Sequence, residues 1–275
     1  VFSISRTKQN NPLILFENNK SNIQHFKLDI TNKVELNELI KNIKPNEIYN
    51  LASQSRPSSS WENEQETFEV NIFGAVNVFR SVLKNNIKAK IFQASSSEMY
   101  GASKSTIICE KSIMEAANPY GISKISAHNY CKIYRETYSL FISTGIMFNH
   151  ESKLRPNDFL SQKIAYGAAC AKLNIINSAD FNEIGLPIVK NGLLQLGNLD
   201  AQKDWGFAGD YVKCMWLMLQ ELNPDDYVIG TGKLHSIKDM CKAAYGCVGL
   251  KWEDYVITNP NLHRIRETNN FCADS

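Results

Sequence analysis

Two neighbouring stretches decide the fold of this chain: Phe92-Gln-Ala-Ser-Ser-Ser-Glu-Met-Tyr-Gly101 and, nineteen residues later, Tyr120-Gly-Ile-Ser-Lys124. The first is an apolar run that ends in hydroxyls and a carboxylate, which is typical of a buried strand and the loop that leaves it. The second places a Tyr and a Lys four residues apart, on one face of a helix. Open α/β sheets build a cofactor cleft where buried strands deliver polar groups to the helices that follow them. Together the two stretches predict an active site.

The spacing of Tyr120 and Lys124 has a chemical reason. An ammonium beside a phenol favours the ionised phenolate, because a nearby opposite charge lowers the pKa of an acid. A phenol with a pKa near ~10 is a poor base at neutral pH, whereas one beside a fixed cation accepts a proton from a hydroxyl group as hydride leaves the same carbon. Tyr-x-x-x-Lys alone occurs by chance in many helices, as an exposed Tyr and a solvated Lys. The Ser95 to Glu98 run before it makes the prediction specific.

The composition is that of an ordinary globular protein. Of the 275 residues, 43% are hydrophobic and 21% are charged, and the net charge is +2. The sequence lacks Lys/Arg runs interleaved with aromatics, which predicts no nucleic-acid partner, whereas a small phosphate-bearing ligand fits. The seven cysteines form no Cys-x-x-Cys pair, which predicts reduced thiols in a cytoplasmic protein and no metal site. No apolar run of about eighteen residues occurs, so no membrane association is predicted.

Strand and helix patterns alternate along the first half of the chain. Strands are predicted at residues 1–5, 23–28, 47–52, 89–94 and 140–147, with a loop at 7–22. Helices are predicted after Thr31 or Asn32, around Tyr120, and on the apolar stripe Phe68, Ile72, Ala75, Val76, Phe79 and Leu83. Such alternation indicates an α/β fold, a Rossmann-like doubly wound parallel sheet with right-handed crossovers, in residues 1–150.

The pattern loosens over residues 151–275, where we predict a smaller, mainly substrate-binding region. Its predicted parts are a helix near 159–172, a polar insertion near 174–185, a strand near 193–196 and a helix at 210–220. Ligands of open α/β sheets bind at the carboxyl ends of the strands, so this region is expected to lie over that edge.

Several motifs along the chain resemble one family. They are Leu51-Ala-Ser-Gln-Ser55, Gln93-Ala-Ser-Ser-Ser-Glu98 with Tyr100-Gly101, Asn118-Pro-Tyr-Gly-Ile-Ser-Lys124, Phe148-Asn-His-Glu-Ser152 and Leu196-Gly-Asn-Leu-Asp-Ala-Gln-Lys-Asp-Trp-Gly206. Together they are similar to the GDP-mannose 4,6-dehydratases, which are extended short-chain dehydrogenases/reductases, from residue 1 to near residue 272. The Phe-Asn-His-Glu-Ser and Leu-Gly-Asn-Leu-Asp-Ala segments are the specific ones, whereas Tyr-x-x-x-Lys is shared by the whole superfamily.

The resemblance implies catalytic roles for four side chains. Tyr120 is expected to take the proton of the sugar 4-hydroxyl, and Lys124 to hold the nicotinamide ribose and lower the pKa of that Tyr. Ser96, where the family usually has Thr, is expected to hydrogen-bond the 4-oxygen. Glu98 is expected to remove the carbon-5 proton, which the transient 4-ketone acidifies, and to help expel the 6-hydroxyl as water. Hydride then returns to carbon 6, so the implied net reaction converts GDP-mannose to GDP-4-keto-6-deoxymannose.

The resemblance also implies NADP as the cofactor. Arg6 stands where a cation accommodates the ribose 2′-phosphate, although a surface cation explains it as well. The other implied cofactor contacts are Asp29 and Ile30 at the adenine, Leu51, Ala52, Ser53, Gln54 and Ser55 past the pyrophosphate, Tyr120 and Lys124 at the ribose, and His150 and Arg155 near the nicotinamide. For His150 a core histidine is the alternative.

On the substrate side, the resemblance implies contacts from Ser96, Glu98, Asn149, Lys203, Arg264 and Glu267. Lys203 departs from the family, which usually has Arg there, and an ammonium cannot make the same bidentate phosphate contact. The insertion near residues 174–185 departs as well. GDP-mannose is therefore the favoured substrate, and GDP-heptose or another nucleotide sugar is the alternative.

The largest departure is the missing glycine-rich turn, since no glycine precedes Gly74. In this fold a Gly-x-x-Gly-x-x-Gly turn joins the first strand to the first helix and lets backbone N–H groups approach the pyrophosphate. We therefore expect a chain truncated at both ends, with strands 1–5 and 23–28 lacking their link to strand 47–52. Such a piece is expected to bind NADP poorly and to be inactive or unstable alone.

Two other functions stay open at this point. A related epimerase or reductase would not need Glu98 beside the Ser, and a non-catalytic remnant would only bind a nucleotide or a partner chain. The missing glycine turn supports the remnant, whereas joint retention of Ser96, Glu98, Tyr120 and Lys124 opposes it. A homodimer or homotetramer is implied by the resemblance, through helices at 63–85 and 117–137, although core packing explains their apolar stripes equally well.

Overall fold

The computed structural model describes residues 1–6, 23–182, 184–263 and 265–274. Its strands are β1 (Phe2–Ser5), β2 (Gln24–Lys27), β3 (Glu47–Asn50), β4 (Lys90–Ser96), β5 (Ile107–Ile108), β6 (Ile142–Met147), β7 (Asn149–Glu151), β8 (Val189–Lys190), β9 (Leu193–Leu196), β10 (Gln202–Phe207), β11 (Asp226–Ile229), β12 (Leu234–Ser236), β13 (Val256–Thr258) and β14 (Cys272–Ala273). The α-helices are α1 (Lys33–Ile43), α2 (Glu64–Phe68), α3 (Ala75–Lys84), α4 (Pro119–Tyr138), α5 (Leu160–Lys172), α6 (Ala208–Gln220) and α7 (Ile237–Cys247). The loop predicted at 7–22 and the predicted contact Arg264 lie outside the described residues.

Four parallel strands form the main sheet, in the order β3, β4, β6, β11. β4 and β6 are its central pair and are buried along almost their whole length. Strands covered on both faces carry near-continuous apolar runs, which is why the run before Ser95 was recognisable in the sequence. The predicted α/β fold with a parallel sheet is confirmed.

The first two strands stand apart from this sheet. Among the described residues β1 and β2 pair in parallel with each other, and β3 has β4 as its strand neighbour. The sequence predicted this separation. The prediction of a buried strand over 47–52 was wrong in part: β3 ends at Asn50, and Tyr49 and Leu51 are 39% and 53% exposed. β3 lies at the edge of the described sheet and has a strand neighbour on one side only, so its side chains are less covered than those of a central strand.

The helix predicted to cover the sheet contains an irregular segment. α2 and α3 are joined without a break by a π-helical segment, Glu69–Gly74. A π-turn uses more residues per turn than an α-helix, so it rotates the face that follows. Of the predicted buried stripe, Ala75, Val76 and Phe79 are buried after this segment, whereas Leu83 is 37% exposed.

The chain divides into two compact units. The first comprises residues 1–103, 110–147 and 212–229, and its core joins α1, α3 and α4 to β4 and β6. The second comprises residues 104–109, 148–211 and 230–275. Its core is built on α5, α7 and β9. Residues 212–229 belong to the first unit although they follow the predicted boundary at residue 150, because β11 pairs with the edge of β6.

Helix length bears on membrane insertion. Within the described ranges, no helix is both long enough and apolar enough to cross a bilayer.

Candidate active site

Ser96 and Glu98 lie where β4 turns into a short helical turn, Ser97–Tyr100. The Oγ atom of Ser96 accepts a hydrogen bond from the backbone N–H of Glu98 at 3.2 Å, so Ser96 caps the turn. A hydroxyl that accepts this bond keeps its own proton for another acceptor. The strand end thus presents one hydroxyl and one carboxylate from residues two apart.

The side chain of Glu98 is held by the start of α4. The Nδ2 atom of Asn118 donates to Oε2 of Glu98 at 2.8 Å. The Oδ1 atom of Asn118 accepts from the backbone N–H of Gly121, also at 2.8 Å, which is an N-cap bond. Pro119 follows at the first helical position, where its missing N–H costs nothing. One buried amide therefore fixes both the helix start and the carboxylate.

Tyr120 and Lys124 share one face of α4, as their spacing predicts. They are 8% and 3% exposed, and the Lys124 Nζ atom lies 5.5 Å from the centroid of the Tyr120 ring. The ammonium also donates to the carbonyl oxygen of Ala94 in β4, at 3.1 Å. Burial lowers the pKa of Lys124 from 10.5 to about 8, because a dry environment disfavours the charged form. The Lys124 ammonium thus lies over the Tyr120 ring, on the face of α4 that the two residues share.

The backbone of Tyr120 is anchored by a buried serine that the sequence analysis did not identify. The N–H of Tyr120 donates to Oγ of Ser60 at 3.2 Å, and Ser60 donates to the carbonyl of Pro57 at 2.7 Å. Ser60 is fully buried. The segment that leaves β3 therefore contacts the first turn of α4.

One turn beyond Lys124 along α4, His128 joins a buried polar network. Its Nδ1 atom lies 3.3 Å from Oγ of Ser95, and its Nε2 atom lies 3.4 Å from Oδ2 of Asp226. Arg135 binds both carboxylate oxygens of Asp226, at 2.7 and 2.9 Å. Burial by itself raises the pKa of Asp226, but hydrogen bonds from His128, Arg135 and Thr144 outweigh it and hold that pKa well below its usual range. The network ties β4, β6, β11 and α4 together, and it includes Ser95, the neighbour of Ser96 in the chain.

The predicted pyrophosphate loop, residues 51–55, is fixed by Asn71 of the π-helical segment. The Oδ1 atom of Asn71 accepts from the Ser53 hydroxyl at 2.9 Å and from the Gln54 N–H at 2.8 Å. Its Nδ2 atom donates to the Gln54 carbonyl at 3.1 Å and to the Ser123 hydroxyl at 2.9 Å. Leu51, Ala52 and Ser55 are exposed. The π-helical segment therefore directs the buried amide of Asn71 toward this loop and α4.

The residues predicted at the adenosine end follow the carboxyl ends of β1 and β2. Arg6 is about half exposed and forms an ion pair with Glu66 at 2.5 Å. Asp29 accepts from the N–H and the hydroxyl of Thr31, at 2.9 and 2.8 Å, and so closes a turn before α1. The Ile30 side chain belongs to the core of the first unit, against Gly74. Arg6 and Asp29 present charged groups at a strand end, whereas Ile30 can offer a ligand little beyond its backbone.

The remaining predicted contacts belong to the second unit. The ring of His150 stacks on Tyr211, with centroids 4.7 Å apart, and its Nδ1 atom donates to the Phe148 carbonyl at 2.8 Å. Because a carbonyl only accepts, Nδ1 is the donor in this bond. His150 is half-buried, so it is neither a surface nor a fully buried core histidine.

Two cationic side chains of the second unit also have partners within it. Arg155 lies over the Phe159 ring, with 3.8 Å between the guanidinium carbon and the ring centroid, and pairs with Glu151 at 3.5 Å. Lys203 donates to the hydroxyl of Thr268. The predicted contacts Asn149, in β7, and Glu267 are half-buried and exposed, respectively.

The sequence predicted an acid, a base and a cation at Glu98, Tyr120 and Lys124, but not the residues that hold them. Asn118 carried a signal, because an Asn before a Pro that opens a helix is a strong N-cap. Asn71 carried a weaker one, as a polar residue on an apolar helical stripe. Ser60, His128 and Asp226 carried none, since their partners are distant in sequence.

The fold defines a class of protein. Three solved structures cover 98–100% of this chain: a dTDP-glucose 4,6-dehydratase from Streptomyces venezuelae with NAD bound, a UDP-glucose 4-epimerase from Thermotoga maritima with UDP-glucose, and RMD from Pseudomonas aeruginosa with NADPH. The TM-scores are 0.78, 0.80 and 0.79 at 18%, 17% and 16% identity, and the chain covers 78%, 81% and 89% of these structures. The chain therefore has the Rossmann-like α/β fold that these structures share.

Sequence similarity identifies the family within that class. The sequence model of GDP-mannose 4,6 dehydratase matches residues 3–274, and the chain belongs to this family. It is 37% identical over 261 residues to GDP-mannose 4,6 dehydratase 2 of Arabidopsis thaliana and 35% identical over 249 residues to GDP-mannose 4,6 dehydratase of Homo sapiens. These matches cover 94% and 87% of this chain but 66% and 62% of the relatives, so the chain spans less than two thirds of their length.

Proposed function

We propose that this chain carries the catalytic groups of a nucleotide-sugar 4,6-dehydratase, a hydro-lyase that acts on GDP-mannose. The observation that carries the proposal is the Glu98 carboxylate, held by Asn118 beside the Ser96 hydroxyl and the first turn of the Tyr120 helix. An epimerase of the same fold moves a hydride out and back at carbon 4 and needs no acid/base at carbon 5. A fixed carboxylate beside the serine is what a dehydration requires in addition.

Each side chain then has one chemical task. Tyr120 takes the proton of the 4-hydroxyl as hydride leaves carbon 4, and the Lys124 cation stabilises the phenolate that does so. Ser96 donates its hydroxyl proton to the 4-oxygen and stabilises the charge that develops there. Glu98 removes the acidified carbon-5 proton and delivers it to the departing 6-hydroxyl, which leaves as water. As hydride arrives at carbon 6, carbon 5 takes a proton from solvent, and Tyr120 returns to solvent the proton that it took from the 4-hydroxyl.

A nicotinamide dinucleotide supplies the reversible hydride acceptor when it is bound, and we propose NADP. Arg6 supports this choice, because it places a cation directly after β1, and cations at this position favour a 2′-phosphate. The Arg6 side chain is 54% exposed, so exchanging its Glu66 partner for a phosphate costs little free energy. Loop 51–55 is held through Asn71 in one conformation, as a pyrophosphate contact needs. NADPH is bound in the solved structure of RMD.

We further propose a homodimer or homotetramer in a reducing, cytoplasmic compartment. Large apolar side chains stand outward on the π-helical segment and on α4: Phe73 is 57% exposed, and Ile122 and Ile133 are 50% exposed each. Ile122 and Ile133 are eleven residues apart and so share one helix face, which fits a two-fold helix pairing. The seven cysteines are all free thiols, which supports the compartment.

The function is tested on the full-length gene product, with GDP-mannose and a catalytic amount of NADP. Mass spectrometry of the products is expected to find the nucleotide sugar lighter by one water. Glu98→Gln is expected to lower the rate by about 100-fold or more, because general acid–base groups contribute that much. A product of unchanged mass would contradict the proposal in favour of an epimerase, and turnover of GDP-heptose alone would change the substrate.

A further inference from the structure

Asn118 makes two hydrogen bonds that point in different directions. Its Oδ1 atom accepts from the Gly121 N–H, which caps α4, and its Nδ2 atom donates to Oε2 of Glu98. Both distances are 2.8 Å, and the side chain is 5% exposed, so water scarcely competes. A cap needs only the first bond. The second is an additional contact with a proposed catalytic carboxylate.

The first turn of α4 also packs on the backbone of Glu98. A Cβ atom added to Gly121 would lie 2.5 Å from the Glu98 carbonyl oxygen, so helix and turn touch there without a side chain between them. Tyr120 belongs to this same turn. Asn118 and Gly121 therefore hold Glu98, by its side chain and its backbone, against the helical turn that carries the proposed base.

This arrangement matters because the two groups act on adjacent atoms of one sugar. The base works at the carbon-4 oxygen and the carboxylate at the carbon-5 proton, so their separation must match the ring. Misplacement of a reacting group by about 1 Å can cost about 100-fold in rate. A half-buried Glu side chain on a short turn has several rotamers open to it, and the Asn118 amide selects one.

We propose that Asn118 is a positioning residue that selects the Glu98 rotamer for carbon-5 proton removal, in addition to capping α4; this inference rests on the proposed function. The proposed reaction has two halves, which depend on different residues. Hydride transfer from carbon 4 depends on Tyr120 and Lys124, whereas loss of water depends on Glu98. Disturbing Asn118 should slow the second half and spare the first.

Asn118→Asp is the discriminating variant. Asp caps helices as well as Asn does, and a negative charge at a helix N-terminus is favourable, so a residue that merely caps would tolerate this change. The backbone at position 118 is extended, with φ −151° and ψ 164°, which Asp adopts before Pro without strain. However, Asp replaces the donor that faces Oε2 of Glu98 with a second carboxylate oxygen. Asn118→Ser provides a neutral control that keeps a cap but is too short to reach Glu98.

The kinetic readout is the split between the two half-reactions. We expect Asn118→Asp to lower kcat by about 100-fold with little change in KM for GDP-mannose, and Asn118→Ser to lie between it and the unchanged chain. Reduced cofactor should accumulate transiently in Asn118→Asp, because hydride transfer continues while water loss is slow. Unchanged kcat in Asn118→Asp, or equal loss of both half-reactions, would overturn the proposal.

A second measurement tests the contact without any turnover. Asn118→Asp should lower the melting temperature in the presence of Glu98 but not in combination with Glu98→Gln, because an amide at position 98 can donate to the new carboxylate. Additive effects in this double-mutant cycle would overturn the contact itself. If the unchanged chain turned over no nucleotide sugar while the cycle showed coupling, the proposed function would fail and the catalytic role of Asn118 with it, but the contact would stand.

Discussion

At the scale of single residues, the candidate site is built from groups whose surroundings cost stability. Lys124 is the clearest case, since burial lowers its pKa to about 8 and its one described hydrogen bond goes to the Ala94 carbonyl. A folded chain gains nothing by burying an ammonium there, because a charge loses its hydration in a dry environment. The cost is understandable if the cation serves Tyr120.

We therefore predict that Lys124→Met stabilises the chain near neutral pH and abolishes turnover. The pKa of Lys124 is about 8 when folded, against 10.5 for an unperturbed Lys. Between these values the unfolded chain holds a proton that the folded chain has released, so the free energy of unfolding rises with pH in that window. The variant is expected to be more stable by about 1–3 kcal/mol near neutral pH, and the gap should shrink as the pH rises through the window. Chemical denaturation at several pH values measures it, and a gap independent of pH would contradict the account.

At the scale of elements, β4, β6, β11 and α4 are held together by apolar contact and by one buried ionic network. Gly145 of β6 illustrates the first: a Cβ atom there would lie 2.8 Å from the Phe92 ring and 3.3 Å from Ile229. Phe92 is fully buried and cannot move aside. The close approach of β4, β6 and β11 side chains thus requires glycine at this position.

We predict that Gly145→Ala lowers the free energy of unfolding by about 1–3 kcal/mol through overpacking. Gly246→Ala in α7 is the matched control, because a Cβ atom at Gly246 meets no atom within 4 Å. It should stabilise by about 0.5–1 kcal/mol, since Ala is the better helix former. Urea titrations distinguish the two, and equal effects would refute the packing argument.

The network around Asp226 predicts sensitivity to acid. Because its hydrogen bonds hold the pKa of Asp226 well below the usual range, its contribution to stability is complete above the unfolded value near ~3.9 and is lost as the pH falls. Asp226→Asn should cost about 3–5 kcal/mol at neutral pH, by leaving Arg135 without its buried partner.

The same variant should unfold with a flatter dependence on pH in the acid range. Asp200→Asn serves as the control, because the Asp200–Lys238 pair is exposed, with the Asp side chain 78% accessible, and should contribute less than about 1 kcal/mol. If Asp226→Asn and Asp200→Asn followed the same curve against pH, the buried network would not contribute as described.

The contacts of these elements also show which features can be predicted from the sequence. The helical spacing of Tyr120 and Lys124, and the polar groups after the apolar run of β4, are local patterns, and both led directly to the site. Asn71, Ser60, His128 and Asp226 contact residues that lie far away in the chain, such as Tyr120 and Ser60, sixty positions apart. No periodicity reports such a contact. The π-helical segment was not predicted either, because the contacts that Asn71 makes from it are also with residues distant in the chain.

At the scale of the whole molecule, two compact units divide the predicted site residues between them. The first unit holds the proposed catalytic groups and the predicted adenosine contacts, and the second holds Asn149, His150, Arg155, Lys203 and Glu267. The units do not meet at a single cut near residue 150, because residues 212–229 belong with the sheet of the first unit.

The exposed apolar side chains of the first unit predict an oligomer. Phe73 and Ile122 are 57% and 50% exposed, and their replacement by Glu would place charges in a helix-pairing interface. We expect Phe73→Glu and Ile122→Glu to shift the mass in light scattering to that of a monomer. Ile113→Glu, on a loop side chain that is 79% exposed, should leave it unchanged. A monomeric parent chain would refute the oligomer.

In the proposed reaction, hydride leaves carbon 4 of a nucleotide sugar and returns to carbon 6 of the same molecule, and Glu98 removes the carbon-5 proton between these two transfers. The experiment that tests this transfer incubates GDP-mannose labelled with deuterium at carbon 4 with unlabelled NADP and the full-length gene product. The expected product has lost one water and carries the deuterium at carbon 6. Deuterium retained at carbon 4, or released to the cofactor pool, would contradict it.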